Sequence, residues 1–451
     1  MTVDAAAAPS PNRLPTWLCL GYGTGMIGAQ IFRDAPAFLL LIFMTDTLGI
    51  PAATAGLAIF IPKIWVVFAD PLAGLASDRI STRWGRRRPF MLVGGGLTVV
   101  GILALFNVPD LPGPTAKAVY ITAVYTLALT AFAAFSVPYL TMGSEMTSDY
   151  HERTRVMAYR VAFMATGLIV SGYAAAIREY GGPGEAGFTF MAFVIAAICL
   201  VTMMTTVFST ARAPFYDRHT TAMSLGEQVR LALANRPFLV LLAAAFLERL
   251  AEGIGYAVLI YFQTYVLQNS ATVLGNMIFV LCLPTILSQG LWVWVTRRIG
   301  KMRTHIIVLL LYCVTVLFWL AAAPDRVWVT YVVAFFSGLF NGAFILTALS
   351  MLTDAVTYDR LKTGLNREGA YTGVWLAAEK VAFALGTLIV GIVLSLFGYI
   401  ETDAATPVTQ PDSALTGMTI AYVAMPIFFH LLSLVFLVRF RLTEADLTPR
   451  A

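Results

Sequence analysis

The sequence predicts an all-α membrane protein: twelve transmembrane helices in two pseudo-symmetric six-helix bundles, with the N and C termini on the cytoplasmic side. Composition is the first observation behind this. The chain is 59% hydrophobic and only 12% charged, with a mean hydropathy of +0.77, whereas soluble domains carry about a quarter charged residues. The second is a series of twelve apolar runs, each close to the roughly 20 residues that a spanning helix needs. The third is an internal repeat. Arg160-Val161-Ala162-Phe163 returns as Lys380-Val381-Ala382-Phe383, and GLIVSG at 167–172 is echoed by GTLIVG at 386–391. Arg83-Trp84-Gly85-Arg86 returns as Arg298-Ile299-Gly300-Lys301, and Thr45 matches Thr264. Each echo is weak alone, but all of them share nearly one offset, 215 to 220 residues, and fall at corresponding spans.

Taken in order, residues 1–15 lack the basic, apolar and small-residue order of a cleavable signal and read as a disordered tail. The first bundle, 16–209, opens with a span at about 16–45 that sets Gln30, Arg33 and Asp34 on one helix face. The second span, about 54–76, carries Lys63 and Asp70 seven residues apart, roughly 10 Å along one face. It leads into Arg79, Arg83, Arg86, Arg87 and Arg88. A membrane-embedded acid above an arginine-rich hairpin is the pattern of a helix leaving the bilayer on its cytoplasmic side. Spans at about 89–108, 118–142, 156–176 and 187–209 follow; the fourth carries Ser136 and Tyr139, and Arg160 opens the fifth. A polar linker, 210–236, holds a candidate amphipathic helix from Ser224 onward. The second bundle, 237–440, has spans at about 238–267, 272–296, 304–322, 328–352, 370–398 and 416–439, and 441–451 form a C-terminal tail. Glu248, Arg249 and Glu252 share the seventh span; Trp375, Glu379 and Lys380 share the eleventh. Isolated strands would leave their backbone unsatisfied in lipid, so the spans are helices. Pro62, Pro71, Pro138 and Pro284 should kink them.

Charge placement sets the orientation. With the N terminus inside, 22 of the 30 Lys and Arg residues fall in cytoplasmic segments, three (Lys117, Arg178, Arg326) fall outside, and five lie within spans. The net charge of +5 does not point to nucleic acid, because the basic residues sit in short gaps between apolar runs. Cys19, Cys199, Cys282 and Cys313 stand singly in apolar segments, which reads as core packing. No catalytic group, metal or cofactor is expected: GxxxxGK[ST], HExxH and GxSxG are absent, which makes an ion gradient the natural energy source. His151, His219, His305 and His430 show no ligand spacing and receive no role.

Polar groups at matched depth in related helices would face one another across a central chamber. Gln30, Arg33, Asp34, Arg160, Arg249 and Lys380 are the candidate solute-binding residues, with Ser136, Tyr139 and Trp375 supplying hydroxyl and aromatic surface. Asp70 is the candidate cation-coupling acid and Glu252 its rival. A static lattice, Arg33 with Glu252 and Asp34 with Arg249, is an alternative use of the same charges. At the cytoplasmic ends, Asp78, Arg86, Glu145 and Arg153 in one half and Asp354 and Arg367 in the other are expected to form gating ion pairs.

These residues resemble the major facilitator superfamily, and within it the glycoside–pentoside–hexuronide:cation symporters related to the melibiose carrier. The resemblance rests on Lys63-Ile64-Trp65 through Asp70-Pro71 and Gly74, on Asp78 and Arg83-Trp84-Gly85-Arg86, and on the segments 137–160 and 353–380. It implies a twelve-helix carrier that moves a small, often sugar-like solute with Na⁺, Li⁺ or H⁺. Asp70 matches one of the family's cation-site acids, but the other falls on Val66. The sugar-gripping acids fall on Gln30 and Ser136, while Lys380 matches the family's functional lysine and Arg160 lies near its fifth-helix arginine. The expectation is therefore a monomeric symporter of the bacterial inner membrane, coupled to H⁺ in preference to Na⁺, with lipid around it. A lysolipid or amphiphile transporter on the same fold is the alternative.

Overall fold

The computed structural model describes residues 13–80, 82, 84–147, 149–213, 225–364, 367–402, 408–440 and 442. Residues 1–12, 441 and 443–451 of the expected tails, and 214–224 of the linker, lie outside them. Among the described residues the chain is helical, with turns and one isolated bridge between Thr82 and Gly85. The helices are α1 (Thr16–Asp46), α2 (Ala52–Arg79), α3 (Arg88–Phe106), α4 (Gly113–Glu145), α5 (Tyr150–Gly172), α6 (Ala174–Tyr180), α7 (Gly184–Ser209) and α8 (Leu225–Ala234). They continue with α9 (Arg236–Tyr261), α10 (Ala271–Leu287), α11 (Gln289–Ile299), α12 (Lys301–Leu317), α13 (Val327–Thr363), α14 (Glu368–Leu396), α15 (Asp412–Thr419) and α16 (Met425–Leu437). A π-helical turn, Ile420–Ala424, joins α15 to α16.

Among the described residues nine helical runs are long and apolar enough to cross a membrane, or up to eleven if the bent pairs α5–α6 and α10–α11 each count as one span. α9 has the length, 26 residues, but carries Glu248, Arg249 and Glu252 in its middle. The 50° break between α10 and α11 comes one turn after Pro284, which removes a helix hydrogen bond. The 41° break after Gly172 has no proline. There the backbone lies against α10, and a Cβ would stand 2.6 Å from the Ile278 side chain. α2 runs through Pro62 and Pro71, and α4 through Pro138, without a break. Large apolar side chains such as Leu127, Leu287 and Leu396 are exposed, as a lipid-facing surface requires.

Helix packing repeats between the two parts of the chain. α1 packs on α5 and α7 as α9 packs on α14 and α16, and α4 receives α2 and α3 as α13 receives α10 and α12. Between these groups run three seams: α2 on α14, α5 on α10, and α1 on α9. Small residues allow the closest approaches. A Cβ on Gly391 of α14 would come within 2.4 Å of the Ala52 carbonyl of α2, and one on Gly386 within 2.5 Å of the Gly253 backbone of α9. Gly386→Val should therefore cost about 1–3 kcal/mol through overpacking. Heating the detergent-solubilised protein checks this, and an unchanged melting profile would rule out so close a crossing.

Candidate functional site

The α2–α14 seam carries charge at mid-helix. Asp70 pairs with Lys380, and Lys63 Nζ donates to Thr387 Oγ1 at 3.2 Å while lying 5.1 Å from the centre of the Phe383 ring. Asp70 follows Lys63 by seven residues and Lys380 precedes Thr387 by seven. Two antiparallel helices in fixed register bring such positions together as two rungs, each two turns from the next. The Asp70 and Lys380 side chains keep 24% and 40% of their surface exposed, so the pair borders open space.

The second constellation lies where α1 meets α9. Gln30 Nε2 donates to Asp34 Oδ2 at 2.6 Å, and Arg33 Nε donates to Asp34 Oδ1 at 3.0 Å. Asp34 is buried, whereas 60% of the Arg33 side chain is exposed, within electrostatic reach of Tyr256 and Glu252. Across from it, Arg249 pairs with Glu252 one turn along α9 and donates to Glu379 of α14 at 3.0 Å. The lattice Arg33–Glu252 and Asp34–Arg249 is not formed: each arginine takes an acid of its own part of the chain. Helical neighbours at i+1 and i+3 are already in reach, whereas a partner on the facing helix needs the helices to close. One turn further along each helix, Phe38 stacks on Tyr256 with ring centres 4.8 Å apart.

Beside them lies a cavity of about 120 Å³ lined by Glu252, Tyr256, Tyr312, Ser337, Asn341 and Tyr422, with Phe38 and Trp319 in its apolar wall. Hydroxyl, amide and carboxylate groups set among aromatic faces suit a polyhydroxylated molecule. Sequence spacing did not mark Tyr312, Ser337, Asn341 or Tyr422, because single polar residues in apolar spans carry no pattern. Another unmarked group, His305, is buried with Nε2 3.0 Å from Glu248 Oε1.

Of the residues expected at the site, Glu252 lines this cavity, whereas Gln30, Arg33, Asp34, Asp70, Arg249 and Lys380 are not among its lining residues, and the other candidates stand farther apart from it. Tyr139 is buried against Tyr22, ring centres 4.7 Å apart, and each hydroxyl donates to the other's carbonyl at 3.1 Å. Trp375 is buried against Phe238 and Tyr371 in a separate apolar cluster. Ser136 is half-buried on α4. Arg160 is half-buried on α5, with Nη1 3.8 Å from Met157 Sδ and a buried Nε that has no acceptor.

The two ends of the molecule differ. At the end where α1 and α9 finish, Asp46 accepts from Thr45 at 2.6 Å and from Tyr265 and Tyr399. Thr45 and Tyr261 hydroxyls are 2.7 Å apart, and the Ala52 amide donates to Glu401 at 2.9 Å. All but the Thr45–Asp46 bond join the two parts of the chain. At the opposite end, Arg87 is the hub of the expected gating cluster, bonding Ser77 at 2.8 Å, Asp78 at 2.5 Å and Glu145 at 2.8 Å, with Arg86 3.7 Å from Glu145. Burial opposes the Arg87 charge, but Glu145 and Asp78 outweigh it and raise its pKa above the ordinary arginine range. Lys301 and Asp354 pair at 2.7 Å in the corresponding place. Arg153 is half-buried with an unpartnered Nε, and Arg367 stands just before α14. Each of these pairs stays within its own part of the chain. Arg87→Lys should cost about 1 kcal/mol, because one ammonium cannot reach three partners at once. A melting temperature equal to the parent's would contradict that.

Residues 21–444 match the family model described as MFS/sugar transport protein. The chain is 25% identical to the putative glycoside/cation symporter YagG of Escherichia coli, over 94% of this chain and 92% of that one. It is 25% identical to the isoprimeverose transporter of Lactiplantibacillus pentosus, over 96% of this chain and 90% of that one. The crystal structure of the nucleoside transporter NupG superposes with a TM-score of 0.64 at 13% identity, covering 95% of this chain and 98% of that one, which shows a shared fold.

Proposed function

The chain belongs to the MFS/sugar transport family, and from that membership we propose a symporter that moves a small sugar-like solute together with a proton by alternating access. It is a multi-pass protein of the bacterial inner membrane and a transporter, not an enzyme. The observation that carries the proposal is the Asp70–Lys380 pair, a membrane-embedded contact between residues 310 apart in sequence that bridges the α2–α14 seam. Charges at such depth are costly unless they border water and serve the transported species.

In this reading the twelve spans form halves 16–209 and 237–440 joined by 210–236, with both termini cytoplasmic and a single chain sufficient. α9 is the seventh span in order and brings the count from eleven to twelve, tolerated in lipid because its three charges face the chamber. The Asp46 latch then closes the outer side, and the inner-end clusters, each confined to one half, leave the cytoplasmic side free to part. Asp70 is the coupling acid, with Glu252 the other candidate. Na⁺ needs several oxygen ligands, whereas Asp70 already faces an ammonium and the position one turn earlier is Val66. That favours H⁺. Gln30, Arg33, Arg249 and Lys380 bind the solute together with the hydroxyl groups of the cavity.

Binding measured against neutral glycosides, pentosides and hexuronides tests the solute class, and failure of every sugar to bind would defeat it. Arg33→Gln is expected to raise KM about tenfold for methyl glucuronide, the loss of one charge-assisted contact, and to affect isoprimeverose little. Equal effects on both would show that Arg33 does not read solute charge.

A further inference from the structure

Glu248 is a part-buried acid with no role in the solute site or in the Asp70 pair. It lies on α9 one turn before Glu252, and its Oε1 is 3.0 Å from Nε2 of His305 on α12. The His305 side chain is 2% exposed and that of Glu248 13%, so the acid is the more accessible partner of the two. On the far side of the ring, Nδ1 is 2.7 Å from Thr347 Oγ1 of α13. That hydroxyl is also 2.7 Å from the Ala343 carbonyl, and a carbonyl can only accept. Thr347 therefore gives its hydrogen to Ala343 and accepts from His305, which fixes a hydrogen on Nδ1. Nε2 and the Glu248 carboxylate oxygen would then be two acceptors in contact, unless a further proton lies between them. The contact requires that proton, on the ring or on the carboxyl.

The surroundings supply no substitute. Ser433 of α16 is 3.3 Å from Glu248 Oε1, but its shorter bond, 2.7 Å, goes to the His430 carbonyl. His430 Nδ1 donates to the Pro426 carbonyl at 2.7 Å. Arg249, the next residue on α9, is turned to Glu252 and to Glu379 of α14. From α1, Arg33 and Asp34 lie within electrostatic reach of Glu252.

We propose that Glu248 and His305 together form a proton-binding site of this carrier, loaded in the present conformation and separate from Asp70. The inference rests on the symport reading. Once the proton leaves, a carboxylate faces an imidazole lone pair, and the repulsion favours parting α9 from α12. Both helices wall the solute cavity: Glu252 lies one turn from Glu248 and lines it, and Tyr312 of α12 lines it while packing against His430 with ring centres 5.1 Å apart. Unloading the pair therefore moves the wall of the solute chamber, which ties proton release to solute release.

Nitrogen NMR of the full-length protein in nanodiscs, with ¹⁵N-labelled histidine, tests the site without any solute. The chain has four histidines, and His305→Gln assigns the signal. At neutral pH the His305 Nε2 resonance is expected away from the position of a bare, lone-pair nitrogen, and Glu248→Ala should move it there. A bare Nε2 in the parent would overturn the site, as would an unmoved resonance in Glu248→Ala. In proteoliposomes, with isoprimeverose and methyl glucuronide as probes, Glu248→Gln should keep solute counterflow and move one proton fewer per solute. A parent-like ratio in that variant would overturn its role in coupling. The NMR result can fail with the symport reading intact, whereas a parent that moves no protons with solute would sink that reading and leave the pair standing.

Discussion

Asp70→Asn is expected to weaken uphill accumulation of solute sharply, by the share that the Asp70 proton drives, while leaving solute exchange across the membrane running. The carboxylate is the acid of the α2–α14 seam, and Lys380 is its partner across it. An acid that can trade an ammonium for a proton changes the charge of the seam by one unit, and the amide cannot. Removing one partner of a buried pair costs about 3–5 kcal/mol. Here the figure must be discounted to about 1–2 kcal/mol, because Lys380 is 40% exposed and solvent screens it. Folding should therefore survive while the Asp70 share of coupling does not. Solute loaded into proteoliposomes should exchange at near the parental rate, with a response to a pH gradient smaller than the parent's by one proton per solute. Accumulation driven as well as in the parent, with its pH dependence kept, would remove Asp70 from the coupling role.

Asp46→Ala is expected to shift the carrier toward a state open at the end where α1 and α9 finish. Asp46 accepts from Thr45, Tyr265 and Tyr399, and hydrogen bonds to a charged group contribute about 1.5–3 kcal/mol each. Losing the two tyrosine bonds that cross between the halves changes the balance by about 3 kcal/mol or more, over a hundredfold in population. The four native cysteines are buried, so a cysteine placed at Ser337 on the cavity wall gives a clean signal. An impermeant thiol reagent added outside should reach it far faster in the Asp46→Ala background. Equal labelling in both backgrounds would show that the latch does not hold that side closed.

The sequence carried the spans because lipid imposes length and polarity at once. Where the expected runs ended early, as at 142 and 352, α4 and α13 continue to Glu145 and Thr363, since a helix leaving the bilayer can go on in water with charged residues. Individual charges were legible for the same reason: Asp70, Lys380, Arg249 and Glu252 all stand out from apolar surroundings. Their partners were not. Periodicity places Arg33 and Asp34 on one face but says nothing of how far away the facing helix lies, so the cross-half lattice was an open option that the geometry does not form. Tyr139 and Trp375 illustrate the same gap. A buried aromatic in a core and one lining a chamber share the same spacing. The apolar run of the ninth span begins near 304, where a histidine at the boundary carries no signal, whereas α12 begins at Lys301 and carries His305 a full turn inward.

Symport of this kind requires a water-filled chamber between two halves through which solute and proton travel together. The most direct measurement is proton movement in proteoliposomes of the parent protein on addition of isoprimeverose or methyl glucuronide. Entry of protons with the solute, and solute accumulation that an imposed proton gradient drives and a protonophore collapses, is the predicted result. Solute that equilibrates with no proton movement, or that only a Na⁺ gradient can concentrate, would contradict it.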